Sequence, residues 1–571
     1  MCVVTVPLGI PARVTCVLAV GCLLGSRAAQ AFPITDPDNP SIVSNAPTPS
    51  ESDLRNQLQM HSGFGAAAAG GGWTFTPTIS GEEIWTDNIL NTKNNRRWDL
   101  LTIAVPSIAI TGDTPNAQVQ FQYGPQFRLA ARTPQENSIT NQLSGTGLFT
   151  IVPDEFYVDA RAIAGAAPLN GGYGGVGLGV NPNFGTLGTT GTSGLSNQNQ
   201  IQTNSFSVSP YWLHRFGDTG TAKVGYQFGE SIYSQGGNSY VPLFFPTGTQ
   251  SSYTVTNEGV AQFETGERFA PFRDLVAGDA RLGTGNFQGN SYEYTFLNKL
   301  GYLVNREIEV FGELGYEDLQ YSGTPTTHVN DVIWGVGTTW TPNPDSQVTV
   351  GFGHRYGENN VQFNGWYALT ARTRITGSYT TGLQTDLLGV QGQLDLTSLD
   401  SLGQTVNSQT GAPTFIGTGG FGAQSGLYRI KSFTAGASTV FARDQLSIYL
   451  QVSQTTTLAA APVSAVIPSG IIAPPVGSTN NARTAYATWT HQISDDLLLS
   501  TSGSFSINHY TTTGNQQSLA IGVGMSYLIS QTLAARLSYA FFDRLVPTQG
   551  TTVNNQSYYQ NLVLLGLTKQ F

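Results

Sequence analysis

The stretch QVQFQYGPQFRL, Gln118 to Leu129, alternates without a slip. Val119, Phe121, Tyr123, Pro125, Phe127 and Leu129 take one set of positions. Gln118, Gln120, Gln122, Gln126 and Arg128 take the other. Successive side chains of a strand point to opposite sides of the pleat, so this pattern describes a β-strand between two unlike environments. In a soluble sandwich the polar face would carry Lys and Glu. Here only 11% of the 571 residues are charged, against roughly 25% in ordinary soluble domains, so the polar face is built from neutral amides and hydroxyls.

The pattern recurs from Trp73 onward, in WTFTPTI, AKVGYQF, DVIWGVGTTW, QLSIYLQVS, SLAIGVGMSY and TLAARLSYAF. About twenty such segments of about ten to fourteen residues follow one another. Short turns (TGDTPN, VPDE, GDTG, VNRE, PNPD, SDD) alternate with long connections near 166–200, 234–289, 383–426 and 455–481. Short turns on one side and long loops on the other describe an outer-membrane barrel, with the short turns in the periplasm. Closure is forced, because in hydrocarbon every backbone N–H and C=O must pair internally and a strand with a free edge cannot span. The expected fold is therefore all-β: a transmembrane antiparallel barrel of about 18–20 strands over residues 72–571. Trp85, Trp98, Trp212, Trp340 and Trp489 fall toward segment ends, where interfacial girdles place aromatics. A β-solenoid would need a fixed sequence period, which is absent.

The N-terminus reads as an export signal. ARVTCVLAVGCLLGSRAAQAF has Arg13, an apolar run and small residues at Ala29 and Ala31, which predicts cleavage before Phe32. A lipoprotein signal ending at Cys22 would leave too short an apolar core after Arg13. All three cysteines lie in this segment, so no disulfide or thiol chemistry is expected in the mature chain. Loss of Arg13 and Arg27 leaves 24 basic against 36 acidic residues, a balance that excludes nucleic acid as a partner. Residues 32–71, rich in Pro, Ser, Ala and Gly, read as a flexible periplasmic leader in which the spacing allows one short helix from Ser50 to Met60. That leader is too short and too polar for the folded plug of a TonB-dependent receptor.

The inward sets name the lumen. Gln118, Gln120, Gln122, Gln126 and Arg128 form one polar stripe, Glu309, Glu313 and Glu317 an acidic one, and Gln362, Asn364, Arg355, Arg372 and Arg536 are further lining positions. Such residues line a hydrated pore able to bond sugar hydroxyls. They would equally line any wide barrel that pairs its acids and bases across the interior. Glu264, Glu267, Arg268, Arg273, Asp274, Asp279 and Arg281 concentrate charge within 234–289. They are read as a loop that either constricts the lumen or sits solvated on the surface. His214, His354 and His491 lie in strands, and no HExxH, GxSxG or zinc spacing occurs, so no cofactor is expected and an outer-membrane enzyme is kept only as the lesser alternative.

Four stretches carry a resemblance: FTPTISGEEIWTDNI, LFTIVPDEFYVDARA, ALTARTRITGSYTTGLQT and Tyr559-Gln560-Asn561 leading to Phe571. They resemble a family of β-barrel porins associated with PEP-CTERM/exosortase systems, related barrels of which accompany exopolysaccharide secretion genes. The resemblance implies an outer-membrane barrel with a link to polysaccharide export, and brings no catalytic residues. Terminal Phe571 resembles the C-terminal signal read by the barrel-assembly machinery, with Lys569 departing from that pattern. The implied partners are outer-membrane lipid and lipopolysaccharide, the assembly machinery, and polysaccharide or its periplasmic export proteins. The competing functional expectation is a surface structural or adhesive barrel plugged by its own loops.

Overall fold

A computed structural model describes residues 72–168, 200–235, 251–287, 289–395, 397–399, 405–407, 423–467, 471, 473–511, 514–546 and 557–571. The expected signal segment and leader lie outside the described residues. The strands are β1 (Gly72–Thr86), β2 (Asp99–Thr114), β3 (Ala117–Ala130), β4 (Ser138–Val152), β5 (Phe156–Pro168), β6 (Gln200–Arg215), β7 (Gly220–Gln235) and β8 (Ser251–Thr265). They continue as β9 (Phe272–Gly285), β10 (Ser291–Leu303), β11 (Ile308–Tyr321), β12 (Thr327–Asn343), β13 (Ser346–Arg355), β14 (Glu358–Thr370) and β15 (Thr373–Gln384). One helix, α1 (Asp386–Asp395), and two three-residue strands, β16 (Thr397–Leu399) and β17 (Thr405–Asn407), follow. The chain then forms β18 (Leu427–Val440), β19 (Asp444–Ala459), β20 (Thr479–Ser494), β21 (Leu497–Tyr510), β22 (Gly514–Ser530), β23 (Leu533–Leu545) and β24 (Tyr558–Gln570).

Twenty-two strands form one sheet. Each pairs antiparallel with its chain neighbours, β15 pairs with β18 past α1, and β1 pairs with β24 from Thr78↔Gln570 to Thr86↔Leu562. That last ladder removes the free edge. A fourteen-residue strand tilted about 40° climbs about 35 Å, enough to cross the apolar band of roughly 25 Å. Twenty-two strands about 4.8 Å apart at that tilt enclose a ring about 40–45 Å across between backbones. Among the described residues no helix is long and apolar enough to cross a membrane.

Gly72 and Phe571 lie at one end of the barrel, and so do the tight connections 115–116, 153–155, 216–219, 304–307, 344–345, 371–372, 441–443, 495–496 and 531–532. This is the periplasmic end by the usual rule. The opposite end carries the longer connections 169–199, 385–426, 460–478 and 546–557. The faces obey the alternation read from sequence: on β1, Trp73, Phe75, Ile79 and Trp85 are exposed while Thr76, Thr78, Ser80 and Glu82 are buried. Phe296, Leu300, Val310, Leu314, Val336, Leu450, Leu565 and Leu567 continue the apolar exterior. Trp73, Trp340 and Trp489 lie toward the periplasmic end and Trp85 and Trp98 toward the other, all exposed, as two girdles require.

The barrel has 22 strands rather than the expected 18–20, and the reason is local. Segment 234–289, expected to be one long connection from its Gly, Thr, Ser, Asn and Pro, contains β8 and β9. Small polar residues suit an inward strand face as well as a loop, and four of the seven charged side chains singled out there face the lumen. Glu264 ends β8, Glu267 and Arg268 form a short turn (Glu267–Phe269) at the periplasmic end, and Arg273, Asp274, Asp279 and Arg281 lie on β9. Five of the seven are strand residues of the wall and two form a turn at its periplasmic rim, rather than a constriction loop.

Candidate functional site

The inner wall follows from the ladder registers. Glu82↔Ile103 and Ile103↔Arg128 place Gln118, Gln120, Gln122, Gln126 and Arg128 on the face opposite exposed Phe127 and Leu129, so all five point inward. Gln126 accepts from Gln142 at 2.8 Å, and Arg128 Nε donates to the Glu136 carbonyl at 3.2 Å. Glu309, Glu313 and Glu317 share the inner face of β11, opposite exposed Val310, Leu314 and Tyr316. Glu309 pairs with Arg273 at 3.4 Å, Glu313 accepts from Gln362 at 2.9 Å, and Glu317 faces Arg355 at 3.8 Å. Arg536 also points inward and donates to Ser538 at 3.0 Å.

Arg372 is a correction. It sits exposed in the turn between β14 and β15, because the chain reverses at 371–372. The inward arginine is Arg374, buried with its guanidinium 5.6 Å from the Trp366 ring. Asp274 is another: it shares the outer face with Phe272 and accepts from Asn298 at 2.5 Å. Nor is the lumen polar all round. Ile84, Leu101, Ile103, Val105, Leu562 and Leu564 form an inward apolar patch at the β24–β1–β2 seam, packed with Ile89 and Leu90 of the following connection. The run DLLTIAV is apolar on both faces, which alternation alone does not reveal.

Around β8 to β13 the wall becomes an ionic cluster. Arg281 holds Glu258 through two bonds, at 2.8 and 3.2 Å, and reaches Glu293 at 3.5 Å. Asp279 lies on the same inward set of β9, and Glu317 accepts the Tyr356 N–H across the ring of strands. Among the described residues no group of His, Cys, Asp and Glu could hold a metal ion. The strand histidines pair with carboxylates instead: His214 with Glu155 at 3.4 Å, His354 with Asp331 at 2.9 Å and His491 with Asp444 at 2.8 Å. Trp212 and Trp489 stack on His214 and His491.

What the sequence reading missed is α1, which enters the lumen from the connection between β15 and β18. Its signals are modest but present. Thr385 precedes it and takes the Leu388 N–H on Oγ1 at 3.5 Å, Asp386 sits in the first turn, and Leu387, Val390 and Leu394 recur at helical spacing. The apolar face packs against Ile163, Ile201 and Tyr233, the inner residues of β5, β6 and β7, and against Phe287. Leu388 points the other way, into a cluster with Leu319, Tyr321, Tyr356, Leu383 and Leu427. The helix is thus wedged between two regions of the wall.

One turn further down, the contacts become polar. Gln391 Oε1 accepts from Ser205 at 3.2 Å and from Ser231 at 3.1 Å. Asp395 Oδ1 accepts from Ser207 at 3.0 Å and Gln227 at 2.7 Å, while its carbonyl takes Arg161 Nη1 at 2.7 Å. Arg161 is itself held bidentate by Asp159 at 2.9 and 3.0 Å. At the other end, Tyr428 Oη and the Gln424 N–H donate to the Asp386 carboxylate. Burial pushes Asp386 up to about 7, and these two bonds oppose the rise. Asp395 is pushed up to about 6 by burial, opposed by the Gln227 bond and reinforced by the charge of Glu258.

The energetics of docking are balanced. Burying Leu387, Leu388, Val390 and Leu394 contributes about 6–12 kcal/mol, and the seven hydrogen bonds named above add about 4–10 kcal/mol. Fixing the ten residues of α1 costs about 10–20 kcal/mol. The gain and the cost are of the same size.

No family model matches the chain, and no curated protein matches it. Among solved structures, the siderophore receptor PirA from Acinetobacter baumannii is similar over 87% of this chain and 81% of that one, with 9% identity and a TM-score of 0.44. The FrpB iron transporter from Neisseria meningitidis gives the same coverage at 11% identity and a TM-score of 0.44. The open form of the ferric-catecholate import receptor Fiu from E. coli K12 is similar over 87% of this chain and 81% of that one, with 9% identity and a TM-score of 0.44.

Proposed function

We propose that this chain is a gated outer-membrane transport barrel, passing polar solute through its lumen when α1 is displaced. The observation that carries the reading is the division of the sheet: an apolar exterior around an interior largely of amides, hydroxyls and paired charges, with a helix docked on that interior by few apolar side chains. Barrels of this width hold plugs rather than stay open by default. Exopolysaccharide is the solute class that the resemblance to exosortase-associated porins favours, with periplasmic export proteins as partners, lipid and lipopolysaccharide on the exterior, and Phe571 read by the assembly machinery. The chain then performs passage and no covalent chemistry.

The test is single-channel recording of the purified protein in planar bilayers beside Gly229→Val. A Cβ at Gly229 would stand 2.6 Å from Thr256 Oγ1 and 2.8 Å from the Gln391 carboxamide carbon, so this side chain displaces the Gln391 carboxamide from its seat on the wall and weakens the hold on α1. The expected result is low or flickering conductance for the parent and a larger, steadier conductance for the variant. Silence from both, with the barrel shown to be folded by its heat-modifiable mobility, would refute passage. Deletion of the gene, with secreted polysaccharide measured, tests the solute.

A second reading, a structural or adhesive surface barrel, is favoured by the burial of α1 on both sides, which makes it as much a core element as a gate. It expects no conductance from either protein and a loss of surface binding on deletion.

A further inference from the structure

We propose that the inner-wall strip formed by Arg161, Ser205, Ser207, Gln227 and Ser231 is a saccharide-binding site, and that α1 occupies it as an internal surrogate ligand. The inference rests on the transport reading and names the place where the solute is held.

Arg161, Ser207, Gln227 and one hydroxyl of the Ser205–Ser231 pair, whose members bond each other at 2.8 Å, donate toward α1, and what they meet is a set of three acceptor oxygens: Gln391 Oε1, Asp395 Oδ1 and the Asp395 carbonyl. The strip is built rather than incidental. Its side chains are almost fully shielded, from 0% exposure at Ser205 to 7% at Arg161. The ladders hold it in register: Arg161↔Ser207 joins β5 to β6, and Ser207↔Gly229 and Ser205↔Ser231 join β6 to β7. Arg161 is oriented by Asp159, which also cancels its charge. What remains is a donor that can serve a neutral oxygen as well as a carboxylate.

Gly229 matters here because it leaves bare backbone in the centre of the strip, where the Gln391 carboxamide occupies the space a Cβ would take. Residues two apart on a strand are about 6.6 Å apart, so the donors recur at the scale of one sugar ring. A ligand must offer closely spaced acceptor oxygens to the strip, and one apolar face to Ile163, Ile201 and Tyr233, which lie beside it on β5, β6 and β7. Saccharides offer such oxygens in their ring, hydroxyl and carboxyl groups. When α1 leaves, Ser207 and Gln227 lose the Asp395 carboxylate, while Arg161 keeps Asp159 and Ser205 and Ser231 keep each other; a ligand oxygen that replaces the lost acceptor avoids the cost of a buried polar group left unsatisfied. The saccharide and the helix therefore compete for the same bonds.

The test uses the full chain in detergent and a double variant, Gln391→Ala with Asp395→Ala, which strips the surrogate of its side-chain acceptors and leaves the wall intact. A neutral glucose hexamer and an acidic galacturonate hexamer are titrated by calorimetry. Binding of at least one should tighten about tenfold or more over the parent, and adding Ser205→Ala, Ser207→Ala and Gln227→Ala should abolish it. The hexamer that gains most distinguishes neutral from acidic sugar. If neither gains, or if the gain survives loss of the wall donors, the inference is wrong. Should the double variant misfold, the parent serves: the hexamers must speed amide exchange within 386–395 where glycerol at equal osmolality does not, and no effect would overturn the site. Conductance of the same proteins separates the two claims, since a conducting barrel that binds no sugar sinks only the site, and a sugar-binding barrel that never conducts sinks only passage.

Discussion

Raising the pH should release α1, and Asp386 sets the size of the effect. The carboxyl is 5% exposed at the start of the helix, and burial raises it from 3.8 to about 7. A group that holds its proton more tightly when docked favours docking at low pH. That contribution is complete below about pH 4, is lost as pH rises toward 7, and stays lost above it. The interval from 3.8 to about 7 corresponds to about 4 kcal/mol at ~1.4 kcal/mol per pH unit. Between pH 5 and pH 8 the unbalanced proton should raise the opening constant of α1 about a hundredfold. Asp395, half-buried and raised to about 6, adds a smaller effect of the same sign at lower pH. The assay is amide exchange of the 386–395 segment, read by mass spectrometry on the detergent-solubilised protein and corrected for intrinsic exchange. Asp386→Asn, which mimics the protonated form, should flatten the response above pH 6 and keep α1 protected at pH 8. Protection that is independent of pH, that rises with pH, or that keeps its full slope in Asp386→Asn would refute the reasoning.

Other expectations concern the wall and the exterior. Arg281→Ala leaves Glu258 and Glu293 without their cation, so the reversal potential in a potassium chloride gradient should move toward potassium; an unchanged potential would mean that solute does not pass this cluster. Leu314→Arg puts a charge at 63% exposure midway along β11 and should destabilise the barrel by about 2–4 kcal/mol in urea unfolding from lipid vesicles. Little or no loss would show that this face does not meet hydrocarbon. Deleting Phe571, whose N–H donates to the Pro77 carbonyl at 3.0 Å beside the closing ladder, should lower the heat-modifiable fraction recovered from outer membranes.

The barrel was legible in the sequence because its two solvents impose a period of two on every strand, and that period needs no knowledge of neighbours. Gln118 to Arg128 and Glu309 to Glu317 faced inward as the pattern required. The pattern failed where one face changed character. β8 and β9 lay in a segment whose Gly, Thr, Ser and Asn describe a connection as readily as a strand with an inward polar face. The run from Asp99 to Val105 concealed an apolar seam, because alternation reports contrast between faces and here there is none. Arg372 went astray by a turn of two residues, which shifts no hydrophobic period and so left no trace. Strand count and the direction of each face are thus local properties, recoverable from a correct reading of periodicity and turns. The position of α1 is not. A cap at Thr385 and apolar residues at 387, 390 and 394 predict a helix, but a helix within a long connection could lie anywhere. Its placement against Ser205, Gln227 and Arg161 depends on three strands brought together by ladders between residues far apart in the chain. Consecutive pairing of β5, β6 and β7 lines up those donors, and only curvature of the whole sheet into a closed barrel brings the connection after β15 across to meet them.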